Sequence, residues 1–485
     1  MGSISVRLRA EHTIQLFTKN ERGYPLAEKD YSLRIWEIKM TDIIFSFDTE
    51  DFTSSRSADG ILYEANLFRE EGVTGCFCVV GLLAKQLKAW GRQDVIEALS
   101  HHEIGTHTYG HTLHPMINEY TDIEDFEKAQ KELIRQETEG VEYIKNTLGV
   151  DRVWAACPPG NQKSYVAMYG YHKMGIPIYA DTFCDTEYGT GAYYCNIFHA
   201  NYTFGIEWFL RDNGEEGIKK VLDELAKRER AVIYTHPNMI IKEDFWDAVN
   251  YHKVNLVPFG QWIEPKDLPS EVTQTVLKNM RTLVRMVKND PRFRIITYSQ
   301  LAKELEMEGE RIVKREHISE LYASLKKSFF PVQDPLSLSL SDMMLACRDI
   351  LKGKEEHLCG DVYGFLSKPY EISGELTASR EDIISACEQI KDGEFLPEKI
   401  KVGNEYIGPA DWLFGAMEVI LGAQSVKITP KPQLPSLDCM PEVRDCSFKG
   451  TWQHSDSFED KYLSDRLRYQ SYTMRFRRES RRITQ

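Results

Sequence analysis

The feature that most constrains this chain is the alternation of short apolar runs with amphipathic stretches between Met40 and about residue 305. Short apolar runs are typical of buried strands, and apolar residues three or four positions apart are typical of helices. Strands that alternate with helices favour a parallel sheet or a β/α barrel. We therefore predict an α/β domain over 40–305, with strands at 43–47, 76–80, from 104, 153–156, 176–180, 231–234 and 293–297.

The hydrophobic pattern changes after residue 306, because apolar runs typical of strands become rare and the spacing typical of helices dominates. The segment 341–353 aligns with 410–422, which lies 69 residues later, and a shorter helical stretch precedes each copy. This approximate repeat predicts a mainly helical appendage of two tandem units over 306–428. The alternative interpretation is a chance likeness between two amphipathic helices.

The two ends of the chain read differently from the rest. Residues 1–39 form a poor core sequence and are predicted to be an irregular N-terminal extension, and the start of translation is left open between Met1 and Met40. Residues 429–485 read as a proline-containing linker followed by an arginine-rich tail with tyrosine and phenylalanine between the arginines. Such a tail is typical either of a solvated segment or of one that binds nucleic acid or another acidic surface.

Charge and cysteine content exclude some classes of protein. The formal net charge is −14, which argues against a general nucleic-acid binder. The ten cysteines are spread along the chain without a Cys-x-x-Cys pair, so a disulfide scaffold is not expected and a reducing compartment is favoured. Because neither a signal peptide nor an apolar run of membrane-spanning length is visible, we expect a cytoplasmic protein without a membrane span.

Three polar clusters follow predicted strands. They are the acidic run Asp48-Thr49-Glu50-Asp51, the pair His107 and His111, and the segment Thr235-His236-Pro237. Histidines four positions apart lie on one face of a helical turn and can bind one metal ion. Ligands of β/α folds bind at the carboxyl ends of the strands, so the three clusters are expected to converge there.

These segments resemble the polysaccharide deacetylase family, which is carbohydrate esterase family 4 with the chitooligosaccharide deacetylase homology domain. The most specific match is His-Glu-Ile-Gly-Thr-His-Thr-Tyr-Gly-His at 102–111, supported by Gly-Cys-Phe-Cys-Val-Val-Gly at 75–81. The acidic run is similar to the first motif of the family, Pro159-Gly160 to its proline-glycine motif, and 234–237 to its last, histidine motif. The resemblance covers about 40–305 and implies a distorted (β/α)7 barrel.

The resemblance also implies roles for individual residues. His107 and His111 would bind a divalent metal, usually Zn²⁺ and otherwise Co²⁺, Mn²⁺ or Ni²⁺, together with Glu50 or Asp51. Asp48 would be the general base and His236 the general acid. Backbone near Pro159-Gly160, or Tyr165, would stabilise the oxyanion. The implied reaction is metal-dependent hydrolysis of a non-peptide C–N bond, namely the N-acetyl group of a sugar or polysaccharide.

One departure from the family pattern bears on the substrate. The family usually has an arginine that orients the base where this chain has Cys157. Two alternatives to sugar deacetylation therefore stay open, namely hydrolysis of a small amide or imide, and a catalytically silent glycan-binding protein. The segments 393–397 and 406–411 faintly resemble pseudomurein-binding repeats, which would imply a glycan-binding or docking role for the appendage, whereas a helical lid or dimerisation unit is the alternative. The oligomeric state is left open.

Overall fold

The computed structural model of the protein describes residues 40–160, 163–183, 191–250, 261–448, 454 and 457–477. It also describes the backbone of three short N-terminal segments, β1 (Ile4–Leu8), β2 (Ile14–Thr18) and β3 (Lys29–Tyr31). These three strands form an antiparallel sheet in the order β1-β2-β3. The N-terminal segment, predicted to be irregular, thus contains regular strands.

The centre of the larger unit is a closed barrel of seven parallel strands in the order β11-β4-β5-β6-β7-β8-β10, which β10 closes by pairing with β11. The predicted distorted (β/α)7 barrel is therefore confirmed. All nine residues of β4 are buried, as expected for a strand covered on both faces. The strands of this sheet are β4 (Thr41–Thr49), β5 (Cys76–Val79), β6 (Glu103–Thr106), β7 (Ala155–Ala156), β8 (Ile178–Asp181), β9 (Ala192–Tyr194), β10 (Ile197–Gly205), β11 (Arg230–Thr235), β12 (Phe293–Ile295) and β19 (Arg475–Phe476).

The set of barrel strands differs from the predicted one at a single place. The strand predicted at 293–297 is present as β12, but it pairs with β4 and is not one of the seven barrel strands. The seventh barrel strand is β10, whose sequence IFHANYTFG contains polar residues and therefore lacks the apolar pattern of a buried strand. The backbone of β10 pairs with β8 on one side and with β11 on the other, and this pairing places it in the barrel.

Helices surround the barrel and connect its strands. The longest, α5, starts at an N-cap aspartate, Asp125, and ends at Gly149, whose φ of 68° allows the left-handed turn that stops the helix. The helices of this region are α1 (Ala58–Glu70), α2 (Gly81–Ala89), α3 (Gln93–Leu99), α4 (Ile117–Thr121), α5 (Phe126–Leu148), α6 (Tyr165–Lys173), α7 (Glu207–Asp212), α8 (Glu215–Leu225), α9 (Trp246–Asn250), α10 (Ser270–Asn289) and α11 (Tyr298–Glu306).

The region after α11 has a hydrophobic core of its own and shows the repeat. Helix α13 (Leu340–Leu351) and helix α15 (Pro409–Ile420) begin and end 69 residues apart, and they pack against each other. Each unit is bounded by a two-stranded antiparallel ribbon, β13 with β14 in the first and β15 with β18 in the second. The remaining elements are β13 (Ile312–Lys314), α12 (Ile318–Lys327), β14 (Glu356–Leu358), β15 (Leu376–Ser379), α14 (Arg380–Ser385), β16 (Ile400–Val402), β17 (Glu405–Ile407) and β18 (Ser425–Ile428).

The C-terminal segment differs from the predicted linker and tail, because its described part is folded. It contains α16 (Pro441–Arg444), α17 (Leu463–Tyr469) and β19 (Arg475–Phe476), and β19 pairs with β9 at the edge of the barrel sheet. Gln470 bonds both to Tyr169 of the barrel and to the backbone of Gly364 in the first repeat. The segment therefore connects the barrel with the helical repeats.

The arginines of this segment that the structure describes bind groups of the protein itself. The guanidinium of Arg466 donates to the carbonyls of Ile123, Glu124 and Leu366. Arg475 lies 3.4 Å from the centre of the Tyr193 ring, and Arg477 pairs with Glu308. Arg478, Arg481 and Arg482 lie outside the described residues.

Among the helices that the structure describes, none is long and apolar enough to cross a membrane.

Candidate active site

A cavity of about 330 Å³ opens at the carboxyl ends of the barrel strands, where β/α folds bind their ligands. The three polar clusters of the sequence meet in its wall. The lining residues are Asp48, Glu50, His107, His111, Pro159, Gly160, His236, Phe245, Asp247 and Ala248. Chain segments that are far apart in sequence thus bring acids, histidines and one aromatic side chain to a single site.

Glu50, His107 and His111 form a buried cluster in this wall. One potential ligand atom from each residue lies within 4.8 Å of the other two. Oε2 of Glu50 lies 2.8 Å from Nε2 of His111 and 3.8 Å from Nε2 of His107. Burial alone would raise the pKa of Glu50, but the neighbouring His111 and His107 lower it far below its usual value. Glu50 is therefore a carboxylate facing two imidazoles.

The two histidines reach this arrangement through a turn, and the predicted helical face is wrong at this point. His107 follows β6 directly, and Thr108 and His111 have left-handed backbones with φ of 68° and 54°. Amides at the start of α2 hold the turn, because Gly81 N donates to Thr108 O and Leu82 N to Tyr109 O. Free amides at a helix start need such acceptors, and here they fix the turn that carries both imidazoles.

The chemistry of this donor set fits a divalent metal. Two imidazole nitrogens and one carboxylate, with room left for water or substrate, form the ligand pattern of catalytic zinc sites. His107 is 2% exposed, and neither of its ring nitrogens has a hydrogen-bond partner among the described residues. A buried polar group without a partner is costly, and a metal ion at Nε2 would remove part of that cost. Glu50, His107 and His111 could therefore hold the ion.

Asp51 does not join this cluster. Its Oδ1 accepts hydrogen bonds from the backbone and the hydroxyl of Thr53 at 2.9 and 2.6 Å, and its Oδ2 accepts one from Ser57. Ser57 is the residue before α1. The side chain of Asp51 therefore fastens the loop between β4 and α1. Of the two carboxylates that the sequence leaves open as metal ligand, the structure brings Glu50 to the histidines.

Asp48, at the end of β4, is held by a residue that the motifs do not contain. Tyr202 of β10 donates its hydroxyl to Oδ1 of Asp48 at 2.5 Å. The other oxygen, Oδ2, lies 3.7 Å from Nε2 of His236. Cys157, which occupies the position of the family arginine, is buried in contact with Cys78 and Tyr202, and burial raises the pKa of its thiol. A tyrosine from another strand thus orients Asp48.

His236 follows β11, and its two ring nitrogens face carboxylates. Nδ1 lies 3.0 Å from Oε1 of Glu207, the first residue of α7. Burial would lower the pKa of His236, but Glu207, together with Glu50 and Asp48, raises it to about 10. The ring is therefore an imidazolium at neutral pH, with Nε2 directed towards Asp48. Phe245 packs edge-on against it with ring centres 4.9 Å apart.

The residues predicted to stabilise an oxyanion are divided by the structure. Pro159 and Gly160 line the cavity. Tyr165 starts α6, is fully buried, and stacks on Phe126, while its hydroxyl lies 3.3 Å from Nη1 of Arg466. Tyr165 is not among the described residues that line the cavity. In the sequence, residues 161–164 separate Tyr165 from Gly160, and Tyr165 begins the helix that follows, α6.

Sequence reasoning missed four residues of this site, namely Tyr202, Glu207, Phe245 and Asp247. Tyr202 lies on the unrecognised strand β10, and Glu207 lies two residues after the end of that strand, so finding β10 would have placed both. Phe245 and Asp247 lie in the segment after His236, which carries no motif. A carboxylate beside a cluster that could hold a metal ion, with a histidine across from it, is an arrangement suited to hydrolysis of a carbonyl compound.

The chain was compared with known proteins. No family model matches it, and no curated protein matches it. Similar solved structures include a Mycobacterium smegmatis protein assigned as a polysaccharide deacetylase, with 15% identity, coverage of 56% of this chain and 92% of that one, and a TM-score of 0.37. The Xyl-CE4 domain of a multidomain xylanase from the hindgut metagenome of Trinervitermes trinervoides has 16% identity, coverage of 55% and 91%, and a TM-score of 0.31.

A third similar structure is the Puue allantoinase, with 11% identity, coverage of 56% of this chain and 92% of that one, and a TM-score of 0.36.

Proposed function

We propose that this protein is a metal-dependent hydrolase of a non-peptide amide bond, and that its reaction is removal of the N-acetyl group from an N-acetylated sugar or polysaccharide. One observation carries the proposal. The Glu50–His107–His111 cluster shares a single cavity with a carboxylate, Asp48, and with the protonated imidazole of His236. The choice of a sugar as the molecule that carries the amide comes from the resemblance of the motifs to polysaccharide deacetylases.

Glu50, His107 and His111 would hold the ion, for which zinc is the first choice and cobalt, manganese or nickel are alternatives. Such an ion supplies Lewis-acid chemistry, since it polarises the amide carbonyl and makes water a better nucleophile at neutral pH. Burial of all three side chains keeps competing solvent away from the ligands. Asp51 is left out of the ligand set, because its oxygens are occupied by Thr53 and Ser57.

Asp48 accepts the proton of the attacking water. Tyr202 occupies Oδ1, which leaves Oδ2 as the oxygen that takes the proton. The water oxygen then bonds to the carbonyl carbon, and the carbonyl electron pair moves to oxygen. The developing negative charge requires donors, and a backbone N–H near Pro159-Gly160, at the cavity wall, is the protein group proposed for this role.

His236 completes the reaction by giving its Nε2 proton to the amide nitrogen. An amine leaves poorly unless it is protonated, so the C–N bond breaks as the nitrogen receives this proton. The products are acetate and the free amine. Glu207 holds the ring through Nδ1 and keeps it cationic, so Nε2 carries a proton before the substrate arrives.

The experiment that tests this function is acetate release from the zinc-loaded protein. We expect acetate from oligomers of N-acetylglucosamine or from partially acetylated chitosan, and no ring opening, followed by mass spectrometry, in a panel of small cyclic amides and imides. Asp48→Asn should keep the metal and lose about 10²–10⁴-fold in turnover, as expected for loss of a general base. If the zinc-loaded, folded protein hydrolyses none of these amides, the proposed hydrolase activity is overturned. If it hydrolyses only the cyclic amides and imides, the proposal that the substrate is an N-acetylated sugar is overturned.

A further inference from the structure

The outer face of His111 is occupied by a threonine and an aspartate that no motif contains. Nδ1 of His111 lies 3.2 Å from Oγ1 of Thr112 and 3.5 Å from Oδ2 of Asp247. The hydroxyl of Thr112 donates to the same Oδ2 of Asp247 at 3.0 Å. Thr112 and Asp247 are each 1% exposed, so the contacts are shielded from solvent.

The direction of these hydrogen bonds follows from counting protons. A threonine hydroxyl has one hydrogen, and the carboxylate of Asp247 can only accept it. Oγ1 of Thr112 therefore faces Nδ1 with a lone pair, and the bond between them requires a proton on Nδ1. With an ion bound, a neutral imidazole that carries its proton on Nδ1 would present a lone pair at Nε2, the nitrogen that lies 2.8 Å from the other proposed ligand, Glu50.

His107 differs from His111 in the surroundings of its ring. Its Nδ1 has no hydrogen-bond partner within the described ranges, and its Nε2 lies 3.8 Å from Glu50. Of the two histidines in the cluster, His111 is thus the one whose ring is oriented by an outer carboxylate. Metal-binding histidines commonly have such a partner, which fixes the tautomer and raises the basicity of the ligand.

Asp247 is itself held rigidly. Its Oδ1 accepts a hydrogen bond from the backbone of Ala248 at 2.8 Å. The preceding residue, Trp246, is fully buried, and its ring centre lies 4.9 Å from that of Phe52, 5.0 Å from that of Trp262 and 5.5 Å from that of His111. These contacts place the carboxylate against His111 without help from solvent.

We propose that Asp247, acting through Thr112, is a positioning residue that fixes His111 as an Nε2 donor and so sets the affinity of the site for a divalent metal. The inference rests on the proposed function, since it assumes that His111 is a metal ligand. Asp247 takes no part in the proton transfers of this scheme. The stretch from His236 to Asp247 would thereby supply both the proposed acid and the outer support of a metal ligand.

The test is the zinc dissociation constant of the full-length metal-free protein, measured by competition with a chromophoric chelator. Asp247→Asn should weaken zinc binding by about 10–100-fold, the usual cost of losing an outer-shell partner. Thr112→Val should weaken it as well, and Thr112→Ser should restore it because the hydroxyl returns. Asp244→Asn, an exposed acid three residues before Asp247, is the matched control and should leave the constant unchanged.

The outcomes separate this inference from the proposed function. If the unchanged protein binds no divalent ion, the proposed function fails and the inference fails with it. If the unchanged protein binds zinc and both Asp247→Asn and Thr112→Val bind it equally well, only the inference fails. Thermal unfolding of each metal-free variant is measured alongside. If Asp247→Asn does not fold, the Thr112→Val and Thr112→Ser pair decides, since loss and recovery of affinity support the inference and constant affinity overturns it.

Discussion

The hydroxyl of Tyr202 donates to Oδ1 of Asp48 over 2.5 Å, joining the middle of β10 to the end of β4. The family that the motifs resemble usually places an arginine at the position of Cys157 to orient the base. Here Cys157 is buried against Tyr202 itself, so the orienting group comes from a different strand and is uncharged at neutral pH. A neutral donor fixes the direction of Asp48 without adding a permanent positive charge to the cavity.

Replacing Tyr202 by phenylalanine removes this hydrogen bond and keeps the ring, which stacks on Tyr234 with centres 4.5 Å apart. We expect kcat to fall about 10–100-fold, because a hydrogen bond to a charged group contributes about 1.5–3 kcal/mol. Tyr234→Phe is the matched control and should leave kcat near its original value. Equal kcat in Tyr202→Phe and the unchanged protein would show that Asp48 does not need this donor.

Replacing Glu207 by glutamine tests the protonation of His236. An acid catalyst works in its protonated form, so kcat should fall as the pH rises through the pKa of His236, which Glu207 helps to raise to about 10. In Glu207→Gln we expect the falling limb of the pH–kcat profile to move to lower pH. The exposed residue Glu215, in the first turn of α8, supplies the control Glu215→Gln. If the falling limb of the pH–kcat profile stays at the same pH in Glu207→Gln, Glu207 does not control the protonation of His236.

The pair Glu50→Gln and Asp51→Asn tests which carboxylate binds the metal. Glu50→Gln should abolish stoichiometric zinc binding, since the charged ligand between His107 and His111 is lost. Asp51→Asn should retain zinc but lower the melting temperature, because the bonds from Thr53 and Ser57 are weakened, at a cost of about 1–3 kcal/mol. Elemental analysis and thermal unfolding measure the two effects. Zinc loss in Asp51→Asn with retention in Glu50→Gln would reverse the assignment.

Glu137, buried in α5, predicts a pH dependence of stability. Burial raises its pKa to about 7, although Tyr171 and Tyr120 donate hydrogen bonds to it. The folded protein therefore keeps a proton that the unfolded chain releases above about pH 4.5, so this residue stabilises the fold at low pH. That contribution is lost as the pH rises towards 7 and above, a change of about 3 kcal/mol at 1.4 kcal/mol per pH unit.

Glu137→Gln should remove this slope. The difference in the free energy of unfolding between the variant and the unchanged protein should therefore shift in favour of the variant as the pH rises from 4.5 to 7.5. Denaturant unfolding at several pH values measures it. Glu139→Gln, an exposed change on the same helix, should give a difference that is constant with pH. A constant difference for Glu137→Gln would mean that its carboxyl is ionised throughout.

The barrel and the converging motifs could be predicted from the sequence because both depend on local patterns. Buried strands such as β4 and β5 are continuous apolar runs, and each motif follows such a run directly. The 69-residue repeat was also visible, since α13 and α15 bury most of their residues and so carry matching apolar patterns.

What could not be predicted depends on contacts between distant segments. The strand β10 reads as polar, and its place in the barrel is decided by pairing with β8 and β11. The partners Tyr202, Glu207 and Asp247 lie 154, 29 and 135 residues from the groups that they bind, so no local spacing reveals them. The turn at 107–111 departs from helical geometry because amides of α2 hold its carbonyls.

The strand β19 and its neighbour Thr473 have a consequence for synthesis of the protein. Thr473 Oγ1 accepts the backbone N–H of Cys195, a contact that spans 278 residues, and β19 completes the outer edge of the barrel sheet beside β9. On the ribosome, that edge must wait unpaired until residues 475–476 have been translated. Early termination anywhere before residue 473 therefore leaves an open β-edge, the kind of surface from which intermolecular aggregation starts.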